Sequence, residues 1–83
     1  MPRYFFDTYD GNQFVPDSNG LELPDLAAAK REAQRALADI ARDALPDDDQ
    51  RTYFISVKNE AGQMVLRAGL TLFVETIVGT SAA

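Results

Sequence analysis

The spacing of apolar positions changes period twice along the chain, and each change marks an element. Arg3 to Tyr9 is dense in aromatic residues that suit a pleated, half-buried surface, and reads as a first strand. Asp10-Gly11-Asn12 is a turn signal of the Asp-Gly type. A short second strand follows around Gln13 to Val15, then a loop, Pro16-Asp17-Ser18-Asn19-Gly20. Pro16 and the short length place that strand at a sheet edge. From Asp25 the period becomes helical: Leu26, Ala29, Ala33, Leu37, Ile40 and Ala44 fall on one stripe, with Lys30, Arg31, Gln34, Arg35, Asp39, Arg42 and Asp43 mostly off it. Asp25 beside Pro24 supplies the N-cap or first-turn acid, Arg35 and Asp39 are spaced to pair, and Pro46 stops the helix. The alanines let this helix lie close against a sheet. Alternation returns at Thr52 to Asn59, which sends Tyr53, Ile55 and Val57 to one face and Phe54, Ser56 and Lys58 to the other. Asn59-Glu60-Ala61-Gly62 forms a hairpin loop, and a fourth strand runs from Gln63 to about Phe73 or beyond.

This order, β-β-α-β-β, predicts the α+β class: a single helix packed on a four-stranded antiparallel sheet. A right-handed crossover that places strand one between strands two and three gives the strand order 2-1-3-4. The chain is expected to form one domain over residues 1–78, with 79–83 a flexible C-terminal tail.

Composition narrows the chemistry. At 83 residues the chain holds one core, and small domains of this size often gain stability by oligomerising. There is no cysteine and no histidine, which removes disulfides, thiolate metal sites, a cysteine nucleophile and the usual neutral-pH proton shuttle. The opening residues lack the apolar run of a signal peptide, Leu70 to Val78 is far shorter than a membrane span, and a cytoplasmic location is expected. The net charge is −5, with the excess acid in residues 1–24 and at Asp47-Asp48-Asp49. Such a surface repels phosphate backbones and anionic lipid, so neither nucleic acid nor membrane is an expected partner.

Met1-Pro2-Arg3-Tyr4-Phe5-Phe6, then Asp10-Gly11, then Asp17 with Gly20, then Leu21-Glu22-Leu23-Pro24-Asp25-Leu26 resemble a family of short, uncharacterised bacterial proteins built on a domain of unknown function. The resemblance continues through the alanine-rich helix and the Gly62 hairpin. It implies the fold and its single-domain extent and carries no activity. Members usually have histidine after the two phenylalanines, whereas this chain has Asp7, so a metal role for that histidine does not transfer.

Asp7, Asp10, Asp17, Asn19 and Glu22 are hard oxygen donors at short spacing and make a divalent-cation or small-ligand regulatory site the alternative function. The spacing does not match the calcium loop, and turn chemistry accounts for the same residues. Asp47-Asp48-Asp49 reads as a solvated loop. No catalytic motif is present, so no enzyme, no cofactor and no metal site is assigned. The sharper signal is the sheet's second face. One helix covers one face, so if Tyr4, Phe6, Ile55 and Val57 face it, then Phe5, Tyr9, Phe54 and Phe73 point the other way. Two readings are open: these rings are a contact surface, or loops and the C-terminal tail fold over them. Leu70 to Val78 also outruns the strand it pairs with and leaves an edge open to another chain. The expected function is therefore a non-enzymatic protein-interaction module, self-associating as a homodimer or binding another protein.

Overall fold

The computed structural model describes residues 1–43 and 49–78. Its elements are β1 (Arg3–Tyr9), β2 (Phe14–Val15), β3 (Leu21–Glu22), α1 (Leu26–Asp43), β4 (Gln50–Lys58) and β5 (Met64–Phe73). The sheet runs β2-β1-β4-β5, and every pairing among the described residues is antiparallel. The class and the path match the expected single helix on an antiparallel sheet. One strand is added. Leu21–Glu22 pairs with Arg3 and Tyr4, on the edge of β1 that β2 occupies further along at Thr8 and Tyr9. A two-residue strand has no period to reveal it.

Local chemistry sets the element ends. Asp25 Oδ1 accepts from the N–H of Ala28 at 2.9 Å, an N-cap for α1. Asn59 Oδ1 accepts from the N–H groups of Ala61 and Gln63, both at 3.0 Å, and Gly62 takes φ 82°, which closes the β4–β5 hairpin. A register shift between Val57 and Lys58 marks a bulge beside that turn. β4 begins at Gln50, two residues before the alternation predicts, and ends at Lys58. The expected ends of the helix at Ala44 and Pro46, the acids Asp47 and Asp48, and the tail 79–83 lie outside the described residues.

The core sits between α1 and β1, β4 and β5. Tyr4, Ala29, Ala33, Leu37, Tyr53, Ile55 and Val57 are buried there, with Phe6, Ile40, Leu66, Ala68 and Leu72 packed around them. Ala29, Ala33, Ile55 and Val57 are fully covered. The helical stripe is corrected at one end: Leu26 remains 45% exposed, because the first residue of a helix has no preceding turn to shelter it, and Ala28 is buried instead. The helix charges also pair differently from the expected Arg35–Asp39. Arg35 contacts Glu32, and Arg42 contacts Asp39 at 2.7 Å, each three residues apart. Three- and four-residue spacings are neighbours on a helix, so acid and base each have two candidate partners. No helix among the described residues is long and apolar enough to cross a membrane.

The close approach of helix and sheet at Ala33 makes a direct prediction. Ala33→Leu forces bulk into a filled space and should lower unfolding free energy by about 1–3 kcal/mol. Urea denaturation should show the midpoint fall with the slope unchanged; an unaltered midpoint would place the helix further from the sheet than described.

Candidate functional site

The sheet has two edges, and they are built differently. On the β1 side, β2 and β3 pair the two ends of β1 but leave its middle without a strand. There the N–H of Phe6 donates to Asp17 Oδ2 at 3.0 Å. The other oxygen of the same carboxylate accepts from the N–H groups of Asn19 at 3.0 Å and Gly20 at 3.1 Å. Asp7 completes a reciprocal clasp by accepting from the N–H of Asp17 at 2.9 Å. The remaining Asp7 oxygen lies 2.8 Å from the Lys58 ammonium. That contact is a close ion pair rather than a well-aligned hydrogen bond. Asp7 is only 3% exposed. Burial raises its carboxyl, but Lys58 and the Asp17 N–H outweigh this and hold it below the usual carboxylate range. For Asp17, burial is again opposed, by the N–H groups of Phe6, Gly20 and Asn19, with the same net direction. Arg3 adds an outer tie, donating to Asn19 O at 2.8 Å and pairing with Glu22 at 2.9 Å.

The acidic N-terminal residues are thus engaged by the chain itself. Asp10 Oδ1 accepts from the N–H groups of Gln13 and Asn12, which lower its pKa. Asp7 and Glu22 are ion-paired and Asp17 binds three N–H groups. Among the described residues no group of three or more His, Cys, Asp or Glu side chains converges as a metal cradle. A shallow depression of about 420 Å³ lies along the helix, lined by Leu23, Ala28, Arg31, Glu32 and Arg35. Its only carboxylate is Glu32.

The four rings singled out on the second face have different fates. The pairing confirms their side: Phe5 opposes Lys58, Tyr9 opposes Phe54, and Phe73 opposes Gln50 at the far end. Phe5 is half-buried beneath the loop that Asp17 ties down. Gly20, at φ 71°, lies so close that a Cβ there would meet the Phe5 ring at 2.9 Å. Tyr9 and Phe54 are half-buried and tilt against each other with centroids 4.9 Å apart, and the Arg67 guanidinium sits 4.2 Å over Phe54. Phe73 is 65% exposed. The second face is therefore closed over Phe5 by the chain's own loop and open toward β5.

The β5 edge has no such covering. Among the described residues no strand pairs its outer side. Of the large apolar side chains left exposed, Met64, Leu70, Phe73, Val74, Ile77 and Val78 all belong to β5 and the segment after it. Val74 still donates its N–H to Asp49 O at 2.8 Å; residues 75–78 continue past it, exposed. Phe73 is the only one of the four predicted rings in this stretch. Leu70 and Val74 lie on the opposite face, and an account built on rings alone misses them.

The family model described as Domain of unknown function (DUF6894) matches residues 3–71, and the chain belongs to that family. No curated protein and no solved structure matches it.

The clasp carries two linked expectations. Asp17→Ala strands three N–H groups and should lower stability by about 2–3 kcal/mol, while Asp17→Asn, which keeps one acceptor oxygen, should lose less. Both Asp7 and Asp17 titrate below their unfolded values. Their contribution is therefore complete above roughly pH 4 and disappears as pH falls through the folded pKa values. Denaturation curves across acid pH should show a shallower acid loss for Asp17→Ala than for the parent chain; parallel profiles would mean the clasp carries no such linkage.

Proposed function

We propose that this member of a family without an assigned activity is a non-enzymatic protein-interaction module that works as a homodimer in the cytoplasm. The observation that carries the reading is the contrast between the two sheet edges. The β1 edge is guarded by two short strands, Pro16 and the Asp17 carboxylate. Natural sheets protect edges in such ways because an unpaired strand is a template for another chain. β5 offers ten residues of edge that are unpaired among the described residues, with no proline and one charged side chain, Arg67. Exposed apolar side chains flank it on both faces. Strand addition at such an edge draws affinity from backbone hydrogen bonds and specificity from alternate side chains. The chain carries no cysteine, so its stability does not depend on an oxidising compartment.

Sedimentation equilibrium between about 1 and 100 µM should yield a mass rising toward twice the 9.1 kDa of the chain. A single 9.1 kDa species across that range would refute self-association.

A further inference from the structure

Resting on self-association, we infer that the partner of β5 is β5 of a second copy, antiparallel about a two-fold axis at Thr71, with Arg67 of each chain opposite Glu75 of the other. Three independent features converge on that register.

The first is backbone direction. Val74 donates its N–H to Asp49, so Val74 turns its polar groups toward β4. Polar groups alternate along a strand, and the odd-numbered positions from Arg67 to Glu75 therefore point theirs to the open edge. Thr71, in the middle of this series, is able to exchange two hydrogen bonds with its own copy.

The second is charge. Antiparallel strands related by a two-fold place the same face of each copy together, so opposing residue numbers must sum to an even number. Between Met64 and Val78 the only charged residues are Arg67 and Glu75. Both are odd-numbered and symmetric about Thr71; Arg67 lies on the face away from the helix, and continuing the alternation past Phe73 puts Glu75 on the same face. Shifting the centre to Leu70 sets Arg67 against Phe73, and shifting it to Leu72 sets Arg67 against Ile77. Only the Thr71 centre pairs the charges, and it does so twice. Opposite charges facing each other across strands are stabilising, and like charges destabilising.

The third is Gly69. A Cβ there would meet only ordinary contacts, Tyr53 O at 3.6 Å and Phe54 Cβ at 3.8 Å, and its φ is not left-handed. Nothing within one chain requires glycine. In the proposed register Gly69 faces Phe73 of the other copy, a ring 65% exposed in the single chain. An aromatic ring covering a cross-strand glycine is a known device for pinning register. On the helix side the same register sets Leu70 against Leu72 and Ala68 against Val74. It thereby covers Leu70 and Val74, which α1 leaves 45% and 48% exposed. Phe73 and Glu75 lie past the span matched by the family, so the pairing is argued for this chain and not for its relatives.

Cysteine substitution tests the register, since the chain has no cysteine of its own. Under mild oxidation Thr71→Cys should cross-link to a covalent dimer, because opposing Cα atoms of a hydrogen-bonded pair, about 5.5 Å apart, fall in disulfide range. Leu70→Cys and Leu72→Cys should each stay unlinked alone and link when combined in one chain. Arg67→Glu or Glu75→Arg should weaken dimerisation roughly tenfold by turning both charge pairs repulsive, and the double swap should restore it. Thr71→Pro removes an outward N–H together with the Thr71 hydroxyl, which lies 3.3 Å from Thr52 Oγ1, and should give a folded monomer by circular dichroism and sedimentation. A chain that stays monomeric throughout would sink self-association and this pairing together. A parent dimer that Thr71→Pro leaves intact, or that links through Leu70→Cys or Leu72→Cys alone, would overturn this register while leaving self-association standing.

Discussion

The N–H of Phe6 points from β1 toward an edge where no strand lies opposite it, between the two residues of β2 and the two of β3. A buried donor left unpaired there would cost about 1–3 kcal/mol. Asp17 answers it with a carboxylate, and that hydrogen bond helps hold the loop that covers Phe5 on the second face of the sheet. With the loop in place Gly20 lies on Phe5, Asn19 comes within reach of Arg3, and Asp7 is closed off from water beside Lys58. A negative charge at Asp7 is tolerable in that setting because a cation and an N–H group face it. The N-terminal third of the chain is thus organised around edge closure.

The same account explains where the acid is useful and where it is absent. Four of the carboxylates in residues 1–24 are held by N–H groups or by Arg3 and Lys58, and they make that side of the molecule fixed as well as negative. The segment from Met64 to Val78 carries one positive and one negative side chain and is neutral as a unit. Two copies with a net charge of −5 each repel at a distance. The proposed contact at β5 would lie where that charge vanishes.

The large elements were legible because their periods are long enough to read. The aromatics of β1 give its bounds, the alanine and leucine stripe and the Asp25 cap give the start and body of α1, and Asn59 and Gly62 give the hairpin. What failed to show was short or non-local. Leu21–Glu22 is too brief to alternate. Pro16 to Gly20 does read as turn composition, and Asp17 does bond its neighbours as turn residues do, but the bond to Phe6 spans eleven positions and leaves no local trace. For the same reason Phe5 was grouped with Phe54 and Phe73 by parity alone. Parity reports the face of a sheet and not what lies over it, so the covered ring and the open one looked alike until the loop was in place.

The remaining asymmetry follows from width. A helix about 10 Å across spans roughly two strands spaced some 4.8 Å apart, and α1 packs chiefly on β4 and β5. On that face Leu70 of β5, and Val74 just after it, remain exposed. Widening the helix is not an option, and the hairpin leaves no further segment among the described residues to lay over them. The proposed dimer would cover them with a second sheet brought edge to edge. In the proposed dimer a two-fold perpendicular to the sheet would put both helices on the same face, with the exposed Leu70 of each copy against Leu72 of the other in the seam between. The opposite face would then become continuous, from the Tyr9–Phe54 pair of one copy through Phe73 to the other. In the proposed dimer both outer borders of the joined sheet would be the edges on the β1 side, which β2, β3 and Asp17 occupy, and growth would stop at two copies.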